Sequence, residues 1–244
     1  MKTLLITGAS SGIGHATALA AAEYGWKVIA CGRNLHRLQA LADRSANISI
    51  LVFDLADRSS CKLALKDVNP DVVLLNAGSC EYVDTNDWNV DLFHRVFAAN
   101  FFSNVNILEC LLSALKPGNQ IVFVDSLARM LPFTRSQAYG ASKAATHYLA
   151  KTLDVDLKSR GIVVQTVSPG FVRTPLTNRN EFRMPMRVEV DRAAEEILKA
   201  IRKQQKDLYF PRIFAALIRS VAQLPSPVQV RLCQRLANTS GPQQ

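Results

Sequence analysis

Tyr139 and Lys143 stand four residues apart in Tyr139-Gly140-Ala141-Ser142-Lys143. On a helix this spacing stacks the two side chains on one face. A free phenol titrates near pH ~10, so it is a poor acid or base at neutral pH. A nearby ammonium favours the phenolate and draws that pKa toward the working range. Tyr-x-x-x-Lys is therefore a way to make a proton donor and acceptor from a tyrosine. The pair alone recurs by chance on surface helices, so its weight comes from the segments around it.

Those segments alternate between strand and helix. Lys2 to Thr7 reads as a strand and leads into Gly8-Ala9-Ser10-Ser11-Gly12-Ile13-Gly14, followed by an apolar helix to Tyr24. In a strand–turn–helix setting, Gly8 permits a tight turn, Gly12 lets backbone approach a pyrophosphate and Gly14 lets helix pack on strand. The helix N-terminus offers unpaired N–H groups to that phosphate. Lys27 to Cys31 reads as the second strand and ends in Gly32-Arg33-Asn34. No acid stands there to take a ribose 2′-hydroxyl, whereas Arg33 offers a planar fork suited to a 2′-phosphate. That choice favours NADP(H) over NAD(H).

Further strands are expected at Ile48–Phe53, Asp71–Leu75, Gln120–Val124, Gly161–Val167 and Asp207–Phe210, with helices at 35–45, 59–67, 92–115 and 138–159. Four strands end in residues placed where an open parallel sheet binds ligands: Asp54-Leu55, Asn76-Ala77-Gly78, Asp125-Ser126 and Ser168-Pro169-Gly170. The alternation implies right-handed crossovers and a parallel sheet covered on both faces.

The chain has 244 residues, 48% of them hydrophobic and 20% charged, the profile of a globular protein with one large domain or two small ones. No linker or repeat marks a second domain. Its five cysteines are scattered and form no Cys-x-x-Cys pair, which argues against a disulfide framework or zinc site and for a reducing compartment, here the cytoplasm. The first strand leaves no room for a signal peptide, and no stretch of ~18 apolar residues is present to span a membrane. Residues 1–172 carry a net charge of +2 and residues 173–244 a net of +7.

The chain resembles the single-domain short-chain dehydrogenases/reductases from residue 2 to about 210. The residues that carry the resemblance are Thr7 to Gly14, Asp54, Asn76-Ala77-Gly78, Asn100, Ser126, Tyr139, Lys143, and Pro169-Gly170 with Thr174. The resemblance implies a doubly wound, three-layer Rossmann-type α/β domain over 1–210, with 211–244 as a helical extension. It makes Tyr139 the general acid in carbonyl reduction and the base in alcohol oxidation. Ser126 then holds the substrate oxygen, and Lys143 lowers the tyrosine pKa and binds the nicotinamide ribose. Asn100 kinks its helix and holds a water that links Lys143 to solvent. Gly8, Ser10, Ser11, Gly12, Ile13, Gly14 and Arg33 belong to the cofactor site. Asp54 and Leu55 meet the adenine, Asn76 and Ala77 line the adenosine ribose and central sheet with Gly78 also in the cofactor site, and Val172 and Thr174 orient the nicotinamide carboxamide after Pro169 and Gly170. It also implies a homodimer or homotetramer paired through the helices at 92–115 and 138–159. No metal and no nucleic acid are expected.

Three positions depart from the family pattern: Leu75 before Asn76, Asp125 before Ser126, and Ser103 after Asn100. Residues 176–190 are expected to be the substrate loop, apolar through Leu176, Phe182, Met184, Pro185 and Met186, with Arg179, Arg183 and Arg187 between them. Leu131, Pro132 and Phe133 are expected on the other side, so an apolar carbonyl or alcohol is expected to fit better than a sugar. In the tail, Ile213, Phe214, Leu217, Ile218, Val221 and Leu224 fall on one helical face, and Ser226-Pro227 opens a further helix. The tail is expected to pack on its own chain or a neighbouring subunit, in preference to an anionic membrane. A non-catalytic NADP(H)-binding sensor is the alternative function. It has no need of Ser126, Tyr139 and Lys143 together.

Overall fold

The computed structural model describes residues 1–179 and 184–239. Phe182 and Arg183 of the expected substrate loop, and the last residues of the tail, lie outside the described residues. The strands are β1 (Thr3–Thr7), β2 (Lys27–Gly32), β3 (Ile48–Val52), β4 (Val72–Leu75), β5 (Gln120–Val124), β6 (Val163–Pro169) and β7 (Asp207–Phe210). They form one parallel sheet in the order β3-β2-β1-β4-β5-β6-β7. Strands β4 and β5 are buried along their whole length, which is why they are written as continuous apolar runs rather than alternating ones. The order reverses between β1 and β4, which opens a crevice beyond their carboxyl ends.

Helices cover both faces. On one face α1 (Gly12–Glu23), α2 (Leu35–Ala42) and α7 (Val190–Arg202) bury Ala18, Leu38 and Ile197 against Leu4, Val28 and Val122. On the other face α3 (Arg58–Leu65), α5 (Ser103–Leu111) and α6 (Gln137–Asp156) bury Leu65, Ile107 and Ala150 against Leu5, Val73 and Phe123. The architecture is the three-layer, doubly wound α/β domain expected. Among the described residues no helix is long and apolar enough to cross a membrane.

Several elements differ from the sequence expectation. The single helix at 92–115 is α4 (Val90–Phe97), a π-helical turn (Ala98–Phe102) and α5. It stops at Leu111, ahead of a turn in which Lys116 N–H is capped by Asn119 Oδ1 at 2.7 Å. Strand β6 begins at Val163 rather than Gly161, because Gly161 has a φ of 67° and ends the preceding 3-10 turn. Helix α7 had no counterpart in the sequence reading, although Ala193, Ile197, Ala200 and Ile201 form a helical stripe and are all buried.

The tail forms α8 (Arg212–Val221) and α9 (Ser226–Thr239). Its six-residue stripe is divided. Ile218 is buried, and Phe214 and Val221 pack beside it on Leu127, Leu131 and Cys233. Ile213 and Leu217 are 69% and 55% exposed, and Leu224 is exposed with them. The six positions span an arc too wide for one contact, so only the 214/218/221 side meets protein.

Candidate active site

The carboxyl ends of the strands meet at a cleft of about 860 Å3. It is lined by every expected cofactor residue except Gly14, and by Ser126, Tyr139 and Lys143. Gly14 packs behind it on Gly8 and Asn76. Asn100 is fully buried beneath it.

The turn after β1 is held by Thr7. Its hydroxyl accepts from the N–H groups of Asn76 at 2.9 Å and Ala77 at 3.0 Å, and Asn76 Nδ2 donates back to Thr7 O at 3.0 Å. The ends of β1 and β4 are thereby tied across the switch point. Gly8 sits in this tie with a φ of 69°, and a Cβ there would lie 2.8 Å from Ala77 Cα, so only glycine fits. Helix α1 then starts at Gly12 with no side chain capping its first N–H groups, which leaves them for an anion. Arg33, at the end of β2, is 76% exposed and lies 3.7 Å from Asp54 at the end of β3. The sequence had not joined these two residues.

The π-helical turn places Asn100 between α4 and α5. Its Oδ1 accepts from Ser79 N–H at 2.7 Å, and its Nδ2 donates to Ser79 O at 3.0 Å and Ser142 Oγ at 2.9 Å. Its carbonyl accepts from Asn104 Nδ2 at 2.8 Å and Thr146 Oγ1 at 3.1 Å. Its amide and its carbonyl are thus both engaged by protein groups. Ser142 and Thr146 lie on the α6 face that carries Lys143, one residue before it and three after, and nothing in their side chains alone marks that service.

Tyr139 and Lys143 occupy one face of α6, as their spacing predicts. Lys143 is buried, donates to Val124 O at 2.9 Å and has its Nζ 5.9 Å from the centre of the Tyr139 ring. It reaches this position past Gly78, where a Cβ would lie 3.3 Å from its Nζ. Ser126 follows β5 in an extended conformation, and its Oγ accepts from Ala128 N–H at 3.1 Å.

Burial dominates the electrostatics of the pair. Burial pushes the Tyr139 phenol up from its ordinary value, the Cys80 thiol and Asp125 add to the rise, and a hydrogen bond from Ser126 opposes it. Burial draws Lys143 down to about 8, with Asp125 and Cys80 pulling it back up. The net shift of the phenol is therefore upward, with burial its largest cause. The lysine's charge is itself resisted by burial, and its hydrogen bond goes to a backbone carbonyl.

Of the expected substrate residues, Leu176 lines the cleft. Leu131, Pro132 and Phe133 do not. They line a separate groove beside Gly140, and Leu131 packs on the α8 cluster. Val172 and Val188 form a parallel bridge that closes the loop between them. Thr177, missed in the sequence, holds its near end: Thr174 N–H donates to Thr177 Oγ1 at 3.0 Å, and that hydroxyl donates to Val172 O at 2.5 Å.

A profile of the short chain dehydrogenase family matches residues 2–184. An uncharacterized oxidoreductase of Myxococcus xanthus is 31% identical, over 96% of this chain and 97% of its own. A 3beta-hydroxysteroid dehydrogenase of Mediterraneibacter gnavus is 32% identical, over 73% of this chain and 69% of its own. The crystal structure of a dehydrogenase/reductase from Sinorhizobium meliloti superposes with a TM-score of 0.77 at 26% identity, covering 85% of this chain and 92% of that one. With its sheet order, its glycine turn and this match across most of its length, the chain belongs to the short-chain dehydrogenase/reductase family of oxidoreductases.

Proposed function

We propose that the protein is an NADP(H)-dependent oxidoreductase acting between a carbonyl and a secondary alcohol on an apolar small molecule. The observation that carries this reading is the opening of Ser126, Tyr139 and Lys143 into the same cleft as the uncapped start of α1. The glycine turn and that helix start fit a dinucleotide phosphate, and Arg33 fits a 2′-phosphate. Gly8, Ser10, Ser11, Gly12 and Ile13 would hold the pyrophosphate side, Asp54 and Leu55 the adenine side, and Val172 and Thr174 the nicotinamide side. A bound nicotinamide supplies or accepts the hydride.

The chain's own residues move the proton. Ser126 Oγ donates to the substrate oxygen and holds it beside the phenol. Tyr139 gives its proton to that oxygen in reduction and takes it back in oxidation. A high phenol pKa keeps the proton on Tyr139 until charge develops on the substrate oxygen. The Lys143 ammonium, close to the phenolate then formed, stabilises it. Asn100 holds the Gly78–Ser79 backbone and the Ser142 side of α6 in place around the lysine. The protein would work in the cytoplasm as a homodimer or homotetramer.

A screen of aldehydes and ketones against NADPH oxidation tests the reading. Turnover of apolar carbonyls is expected. NADPH binding with no turnover across the panel would point to a sensor instead.

A further inference from the structure

The carboxylate of Asp125 lies at the junction of three elements. The Asp125 N–H donates to Val167 O of β6 at 2.8 Å. Its Oδ2 accepts from Arg129 Nε at 2.9 Å and pairs with His147 Nδ1 at 2.6 Å. Arg129 lies in the turn after Ser126 and reaches Ser168 Oγ on β6 at 3.5 Å. His147 lies on α6, one turn beyond Lys143. The Asp125 side chain is 0% exposed, and those of Arg129 and His147 only 12% and 18%. Its Oδ1 has no hydrogen-bond partner among the described residues.

A buried carboxylate is costly unless it is paired, and a buried ion cluster contributes little stability compared with well-packed apolar groups. The geometry shows what the cluster does instead. The Asp125–Arg129 pair closes the short turn that contains Ser126. The Asp125–His147 pair fastens that turn to α6. Lys143 Nζ on Val124 O is a parallel tie one turn earlier. Two neighbouring residues at the end of β5 thus grip two successive turns of the helix that carries Tyr139.

We propose that Asp125 is a positioning residue: clamped by Arg129 and His147, it fixes Ser126 against Tyr139 and keeps a negative charge beside Lys143. This rests on the acid–base reading of Tyr139. Lys143 faces Tyr139 on its own helix, Cys80 from the loop after β4 and Asp125 from the end of β5. Asp125 itself faces Arg129, His147, Lys143 and Tyr139. Asp207, paired with Lys151, is the next acid toward His147. Burial pushes the Cys80 thiol up to about 11, so in the working range Asp125 is the anion that supports the lysine.

The test compares the whole wild-type protein with Asp125→Asn, His147→Phe and His147→Asn. Readouts are kcat, KM, the pH profile of kcat/KM, NADPH binding by fluorescence and the titration of Lys143 by NMR, its signal assigned with Lys143→Met. Asp125→Asn keeps the shape and removes the charge. It is expected to lower kcat about 10-fold, leave NADPH affinity within about 2-fold, and move the Lys143 titration and the basic limb of the profile to lower pH. His147→Phe is expected to lower kcat, and His147→Asn to restore most of it, because its amide N–H can donate to Asp125. An unmoved Lys143 titration in Asp125→Asn, or a His147→Asn variant no better than His147→Phe, would overturn the proposal. If Asp125→Asn does not fold, the His147 pair decides alone. The NMR titration needs no substrate, so failure of the acid–base reading of Tyr139, seen as full turnover in Tyr139→Phe, remains distinguishable.

Discussion

Lys143 keeps its charge against burial, and that conflict sets the pH behaviour at the residue scale. Its pKa is drawn down to about 8, so it is charged below that pH and neutral above it. In the proposed mechanism, reduction needs the ammonium beside the phenol. The kcat/KM for reduction, which reports the free enzyme, is therefore expected to hold below about pH 8 and fall as pH rises through it. A pH–rate profile flat to pH ~10, the value of a free lysine or phenol, would remove the lysine from this role. Arg33 makes a second residue-scale prediction. Arg33→Asp places a carboxylate beside Asp54, 3.7 Å from the present guanidinium, and should weaken NADPH far more than NADH. Fluorescence titrations that fall equally for both cofactors would mean that Arg33 does not read the phosphate. Residue types and spacing made Tyr139, Lys143 and the glycine turn legible in the sequence, whereas the role of Ser126 came only with the family resemblance. The clamp on Asp125 was not legible, because Arg129 and His147 approach it from a turn and a helix whose register only the fold supplies.

At the scale of elements, most of the sheet could be read because parallel strands buried on both faces are written as apolar runs. The π-helical turn at Ala98–Phe102 could not be read from periodicity, since its flanks keep the pattern of one continuous helix. In the tail, periodicity was right about the helix and too generous about its face. That division can be measured. Ile218, buried against Leu127 and Leu131, should cost about 2 kcal/mol or more when changed to Ala, whereas Leu217→Ala should stay within about 0.5 kcal/mol. Urea melts showing equal losses would mean that the exposed side of α8 is also covered. Deletion from Pro211 onward should lower the melting temperature, because it uncovers Leu127 and Leu131 next to Ser126.

At the scale of the whole molecule, α5 and α6 leave large apolar side chains in solvent. Val105 is 38% exposed, Tyr148 73% and Val155 74%, and Phe102 lies beside them in the π-helical turn, 53% exposed. Such a face matches subunit pairing, and Tyr148→Asp should shift sedimentation from dimer or tetramer toward monomer at micromolar concentration. A wild-type protein that sediments only as a monomer would reject the assembly. Within one subunit, the parallel sheet brings the β5 end, the start of α6 and the glycine turn to one cleft, and the central claim is that Tyr139 moves the proton there. The most direct measurement is the turnover of Tyr139→Phe with a carbonyl that the wild type reduces, alongside its NADPH affinity. The account predicts a kcat lower by at least ~100-fold with cofactor binding retained, because the ring stays and only the donor is lost. Near-normal turnover in that variant would contradict it.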